Sequence, residues 1–211
     1  MTIVKVVIDF TKILIREYID SILLMLILTS TLSLGFNFLL AIQLGVSNEL
    51  DIYIYSLALP TFISSLIVGS IQYRLGPEFV NIFTPEAEDL FHKTIRTIII
   101  ISSGFLLLGL IALPYQAYAL PTNTILYPDD HLYALLSVTW FSGSIMILMG
   151  CTVAILNGQR RFLMALSLSI YPYLLPTILL FILGSKVSPV LVVVSSLVGY
   201  CISLVIGMFA I

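Results

Sequence analysis

Residues Ile52–Tyr73, IYIYSLALPTFISSLIVGSIQY, contain no Asp, Glu, Lys or Arg. At about 1.5 Å of rise per residue these 22 residues make roughly 33 Å of helix, enough to cross a hydrocarbon core of about 30 Å. Five further stretches are equally uncharged, and each is longer: Ser21–Asn48, Thr97–Pro128, Leu132–Gln159, Phe162–Ser185 and Val187–Ile211. The chain as a whole is 60% hydrophobic and 9% charged, whereas a soluble domain carries about 25% charged residues.

In lipid the backbone must satisfy its own hydrogen bonds, so these stretches are expected to be helices. No alternation of polar and apolar residues supports an outer-membrane barrel. The expected fold is an all-α integral membrane protein, a bundle of six transmembrane helices spanning about 21–46, 52–73, 94–118, 132–156, 162–184 and 187–211. Residues 1–20 read differently. Lys5, Asp9, Lys12 and Arg16 recur at helical spacing on one side, with Ile3, Val7, Phe10 and Leu14 on the other. That pattern predicts an amphipathic helix at the membrane surface, leading into a six-helix lobe over 21–211.

Basic residues set the topology. Lys5, Lys12, Arg16, Arg74, Lys93, Arg96, Arg160 and Arg161 fall on one predicted side and Lys186 alone on the other, with Glu49, Asp51, Asp129 and Asp130. The positive-inside rule therefore puts both termini in the cytoplasm. Thr84 and Pro85 look like a cap and first turn, so the third helix should begin before the membrane. Tyr115, Tyr118, Tyr127, Tyr133 and Trp140 gather towards the opposite face as an aromatic belt would. The sixth span ends at Met208-Phe209-Ala210-Ile211 with no flanking Lys or Arg, which reads as a chain stopping at a span boundary.

The six charge-free stretches hold no ionisable carboxylate, Lys, Arg or His. Intramembrane charges mark proton relays and ion paths, so their absence argues against a membrane hydrolase, a metal-dependent transferase and a self-contained proton pump. Cys151 and Cys201 sit in different spans, and His92 and His131 lie far apart near membrane boundaries. No metal or cofactor site is expected. A net charge of −2 without a basic patch argues against nucleic acid as a partner. The neutral polar residues are the remaining candidates. Asn37 and Gln43 are costly in lipid and should face the bundle, either to bond another helix or to line a polar cavity. Pro60 leaves the carbonyl of Ser56 without its helical donor, which produces a packing kink or a bend beside a cavity. Ser64 and Ser65, one turn on, serve close packing or face a substrate. Pro172 and Pro176 should bend the fifth span.

One stretch is more specific. Leu44-Gly45-Val46-Ser47-Asn48-Glu49-Leu50-Asp51-Ile52-Tyr53 runs on to Ala58-Leu59-Pro60, then to Gly69 and Pro77-Glu78-Phe79-Val80. The order Gly45, Asp51, Pro60, Gly69, Pro77 resembles the start of the MurJ-type lipid II flippases of the multidrug/oligosaccharidyl-lipid/polysaccharide exporter superfamily. Asn157-Gly158-Gln159-Arg160-Arg161-Phe162 is similar to that family's fourth-to-fifth connection. The resemblance implies one lobe, the N-terminal one, of a carrier in the bacterial inner membrane. Such a carrier moves an undecaprenyl-diphosphate-linked glycan by alternating access. It further implies a second lobe or a homodimer partner, membrane lipids as surroundings, and Asp51 as a gating or binding acid unless it is only a helix N-terminal cap favoured by the dipole. The family's diphosphate-holding arginines fall near Ser30, Asn37 and Ser64 or Ser65, where this chain has no base. A non-transporting scaffold that keeps the lobe fold, or an exporter of another polysaccharide or small solute, is the alternative.

The orientation is testable. With Cys151→Ala and Cys201→Ala as background, Asn48→Cys should react with an impermeant maleimide added to intact cells and Gln159→Cys should not.

Overall fold

The structure, a computed structural model, describes the backbone of residues 2–45, 47–78, 85–119, 129–184 and 187–211, and the side chains of 18–45, 47–74, 91–119, 131–184 and 187–211. Among the described residues seven helices follow one another: α1 (Thr2–Leu44), α2 (Asn48–Glu78), α3 (Pro85–Tyr118), α4 (Asp129–Gly158), α5 (Phe162–Leu168), α6 (Tyr171–Leu183) and α7 (Pro189–Ala210). Among the described residues six segments are long and apolar enough to cross a membrane, α5 and α6 together forming the fifth. The chain is a multi-pass helical membrane protein. Among the described residues there is no strand.

Helix ends follow local rules. Gly45 (φ 61°) closes α1 in the left-handed conformation, its N–H donating to the Ala41 carbonyl at 3.0 Å. Ser47 caps α2, its hydroxyl accepting from Leu50 N–H at 3.4 Å. At the end of α4 Arg160 takes φ 59°; Arg161 N–H then reaches the Leu156 carbonyl (2.8 Å) and Arg160 N–H the Asn157 carbonyl (3.0 Å), a Schellman closure. Ser188 caps α7 with Pro189 in the first turn.

α1 continues without a break from Thr2 through the first span, so no helix end separates the expected surface segment from it. The side chains of Lys5, Lys12 and Arg16, and the residues Thr84, Tyr127 and Lys186, lie outside the described ones. α3 starts at Pro85, about 9 Å of helix before Phe91 opens its apolar span.

α4 is the central pillar. In its most apolar stretch 67% of residues are buried, against 6% in α1. It packs against α2, α3, α5 and α7, while α1 leans on α5 and α6 at the periphery. Small residues permit the approach. A Cβ on Gly109 would lie 2.5 Å from the Trp140 ring, one on Gly143 2.8 Å from Phe105, and one on Gly150 2.6 Å from Val68. Between α3 and α4, Ser102 and Ser144 form a reciprocal clasp. Their hydroxyls lie 2.6 Å apart, and each is also 3.0 Å from the other residue's carbonyl oxygen, so two protons are shared among three contacts. Trp140 is not in an aromatic belt. It is 1% exposed, packed on Phe105, with its indole N–H donating to Gln116 Oε1 at 3.0 Å. Gly109 supplies the space for the ring and Gln116 the acceptor, so the core outcompetes the interface. Tyr115, Tyr118 and Tyr133 are exposed. Among the described residues Gln159 Oε1 is the buried side-chain atom left without a partner.

Tyr18 donates to the Arg160 carbonyl (3.1 Å) and Arg161 to the Ala210 carbonyl, so the start of the first span, the α4–α5 turn and the end of α7 share one end of the bundle. Gln43 and Gly184 meet at the other.

Gly199→Ala tests the packing account. A methyl there meets the Tyr171 carbonyl oxygen at 2.5 Å and Pro172 Cα at 2.7 Å, which are backbone atoms that cannot rotate away. It should cost about 1–3 kcal/mol and lower the thermal midpoint in detergent. Gly69→Ala, where a Cβ meets nothing within 4 Å, should not lower it.

Candidate functional site

α2 packs on α4 and α1 on α6, so the two N-terminal spans lie side by side with little direct packing between them. A cleft of about 520 Å³ opens there. Asn37 and Ala41 of α1 face it, with Tyr53, Ala58 and Thr61 of α2, Thr139, Ser142 and Gly143 of α4, Pro172 and Tyr173 of α6, and Ser196 and Tyr200 of α7. None of its lining residues carries a charge. The volume lies in the range of small-molecule sites, about 300–1,000 Å³.

The polar groups are arranged in a particular sense. Thr61 donates to the Leu57 carbonyl (2.5 Å), Thr139 to Leu136 (2.7 Å), Ser196 to Val192 (3.2 Å) and Asn37 Nδ2 to Ser33 (2.9 Å). The three hydroxyls spend their protons on the preceding turn of their own helices and can accept from the cleft, while Asn37 keeps a second amide N–H and the phenols of Tyr53, Tyr173 and Tyr200 also line it, so acceptors and donors are both present. The arrangement suits a neutral polar ligand, such as a sugar with its hydroxyls, and offers an anion no counter-charge.

One wall is a broken helix. The fifth span parts at Ser169 and Ile170, whose N–H groups bond Leu166 (3.1 Å) and Ser167 (3.2 Å) in three-residue steps. Pro172, in the first turn of α6, has no N–H for the Leu168 carbonyl four residues back. Ser203 of α7 approaches that carbonyl at 2.6 Å, with the Gly199 carbonyl of its own helix as a second acceptor at 2.9 Å. Gly199, one turn earlier on α7, gives the Tyr171 carbonyl and Pro172 room to approach. Pro60 behaves otherwise: α2 runs through it unbroken, and Pro60 is buried with its carbonyl facing Gly143.

Of the residues singled out from sequence, Asn37 lines the cleft, exposed at its mouth. Ser64 is fully buried against α4, bonded to the Thr61 carbonyl (3.2 Å) and 3.5 Å from Met146 Sδ. Ser65 is exposed and bonds the Phe62 carbonyl at 2.8 Å. Gln43 is half-buried beside Gly184. Asp51 is exposed in the first turn of α2, with Ser47 rather than Asp51 as the cap. Tyr53, Thr61, Thr139, Ser142, Ser196 and Tyr200 join the site without any signal in the sequence. They come from three spans at no fixed spacing, and Thr and Ser at such positions look like ordinary packing residues. No protein-family model, curated protein or solved structure matches the chain.

The break predicts a coupled pair. Ser203→Ala leaves the Leu168 carbonyl unsatisfied and should destabilise by about 0.6–1.7 kcal/mol, the range for bonds between membrane helices. In a Pro172→Ala background, which restores a backbone N–H four residues on, the same change should cost less. A double-mutant cycle on thermal unfolding in detergent reads the difference.

Proposed function

We propose that this chain is one lobe of an alternating-access carrier for a lipid-linked glycan, of the lipid II kind, in the bacterial inner membrane with its N-terminus in the cytoplasm. The observation that carries the reading is the uncharged, polar-lined cleft between α1 and α2, walled by a helix that breaks just before Pro172. Carriers place substrate sites beside discontinuous helices within the membrane, and a lateral opening lets a lipid-anchored molecule enter without leaving the bilayer. At about 520 Å³ the cleft takes a sugar unit or a prenyl segment rather than a whole lipid-linked glycan.

The diphosphate has to be held elsewhere. The cleft lining has no cation, and Ser30, Asn37, Ser64 and Ser65 stand where the resembled family places arginines. A second lobe, or a second copy of this chain, supplies the charge and the opposing wall in this reading, and Asp51 at the mouth of α2 is a gating candidate. The same lack of cations favours a second reading, a membrane scaffold that keeps the lobe and moves nothing. Neither reading involves catalysis.

Rescue of flippase-depleted bacteria by the gene separates the two. Under the carrier reading the wild-type protein restores growth and Ala58→Trp, which fills the cleft, abolishes rescue at unchanged membrane abundance. Growth supported equally by wild type and Ala58→Trp, or no rescue despite insertion, overturns it.

A further inference from the structure

Two polar side chains of the cleft are not bonded to the protein. Tyr53 and Ser142 are each 6% exposed, and both line the cleft. Among the described residues no hydrogen bond reaches the Tyr53 phenol or the Ser142 hydroxyl. Ser142 thereby departs from Thr61, Thr139 and Ser196, whose hydroxyls return to a carbonyl of their own helix. Both oxygens also differ from Gln159 Oε1, which is fully enclosed: they keep a little surface, and the cleft is where their residues are open.

The pair comes from α2 and α4, beside an aromatic wall that other spans build. The Phe36 ring of α1 and the Tyr173 ring of α6 lie 6.3 Å apart, tilted by 54°. The phenols of Tyr53, Tyr173 and Tyr200 are electrostatic neighbours of one another. A buried polar group without a partner costs more than an apolar group of the same shape, so Phe at 53 and Ala at 142 would serve the fold better. Such groups make sense where a ligand completes them. A phenol and a hydroxyl can each donate one hydrogen bond and accept others. Their match on a ligand both gives and takes hydrogen bonds, which a sugar hydroxyl does at a single atom. A prenyl or acyl chain would seal both oxygens off from any partner. An organic cation would meet aromatic faces but no carboxylate, and an anion no cation.

We propose that Tyr53 and Ser142 are the specificity-determining pair of the cleft, bonding hydroxyls of one neutral pyranose ring whose apolar face rests on Phe36 and Tyr173. The lipid tail of such a ligand then lies outside the cleft. This deepens the carrier reading and rests on the cleft being its substrate site. It narrows the occupant from a sugar unit or a prenyl segment to the sugar alone.

Saturation-transfer-difference NMR of the full chain in phosphatidylcholine nanodiscs, with methyl β-D-glucopyranoside as the probe, tests it. The glucoside should receive saturation, and Tyr53→Phe and Ser142→Ala should each weaken its apparent affinity roughly three- to tenfold. Ser65→Ala, at an exposed serine off the cleft, should leave the affinity unchanged. Neither Tyr53→Phe nor Ser142→Ala should lower the thermal midpoint, because the hydroxyls they remove bond nothing in the fold. Absence of saturation transfer, equal weakening by Ser65→Ala, unchanged affinity in both cleft variants, a lowered midpoint in either, or displacement of the glucoside by geranylgeraniol overturns the proposal. The rescue assay separates it from the carrier reading. Glucoside binding that depends on Tyr53 and Ser142, without rescue, removes the carrier and leaves the sugar site; rescue without glucoside binding does the reverse.

Discussion

In hydrocarbon a leucine gains nothing by leaving lipid for a neighbouring helix, so the burial of α4 has to come from close approach and from hydrogen bonds between helices. The contacts follow this rule. Gly109, Gly143 and Gly150 line the α3–α4 and α2–α4 seams, and Gly207 of α7 meets Thr152 of α4. Where a seam contains polar groups they are paired, as in the Ser102–Ser144 clasp and the Trp140–Gln116 bond. Apolar bulk then fills the gaps these small residues leave, with Phe105, Trp140 and Ile147 as the enclosed centre.

The same rule explains where the bundle is open. α1 is the least buried span, and its apolar residues Leu23, Leu24, Leu34 and Phe38 face outward. A Cβ added to Gly35 of α1 would meet nothing within 4 Å, so that glycine forms no seam with α2. With no small-residue seam the two helices part, and the cleft follows. On the other flank of α2, Gly69 likewise faces open space while Val68 is engaged by Gly150 of α4. The cleft is thus a consequence of α2 committing its close contacts to α4.

The broken fifth span is the other structural device. Pro172 deletes one backbone donor, and Ser203 restores the bond from a different helix. The cleft wall is therefore fixed by α7, and its geometry depends on Gly199 and Ser203 as much as on the proline. Pro60, whose ring lies within an unbroken helix, shows that proline alone does not set a break; a neighbouring helix with the right hydroxyl and the right glycine does.

Much of the architecture is legible in residue order. Six charge-free stretches correspond to six membrane-length segments, because a span is a local property of composition and length. At the α1–α2 turn the cap is Ser47 and not Asp51, because capping is decided by which residue sits immediately before the first helical turn. Trp140 misleads, because an aromatic near a predicted boundary looks the same whether it faces the interface or a glycine on another helix. Gln116 and Ser203 give no signal because each acts on a group 24 or 35 residues away. The cleft is visible in sequence through Asn37 alone, the one lining side chain whose polarity stands out in a span. The amino-acid order by itself determined that the chain is helical, that six segments can cross lipid, and where basic residues divide the loops, because each depends on neighbours in the chain. Tertiary structure alone decided that α4 is central, that the fifth span breaks where Ser203 can mend it, and that an uncharged cleft opens between α1 and α2. Those depend on which helix faces reach van der Waals distance, and that is set by pairs of residues remote in sequence.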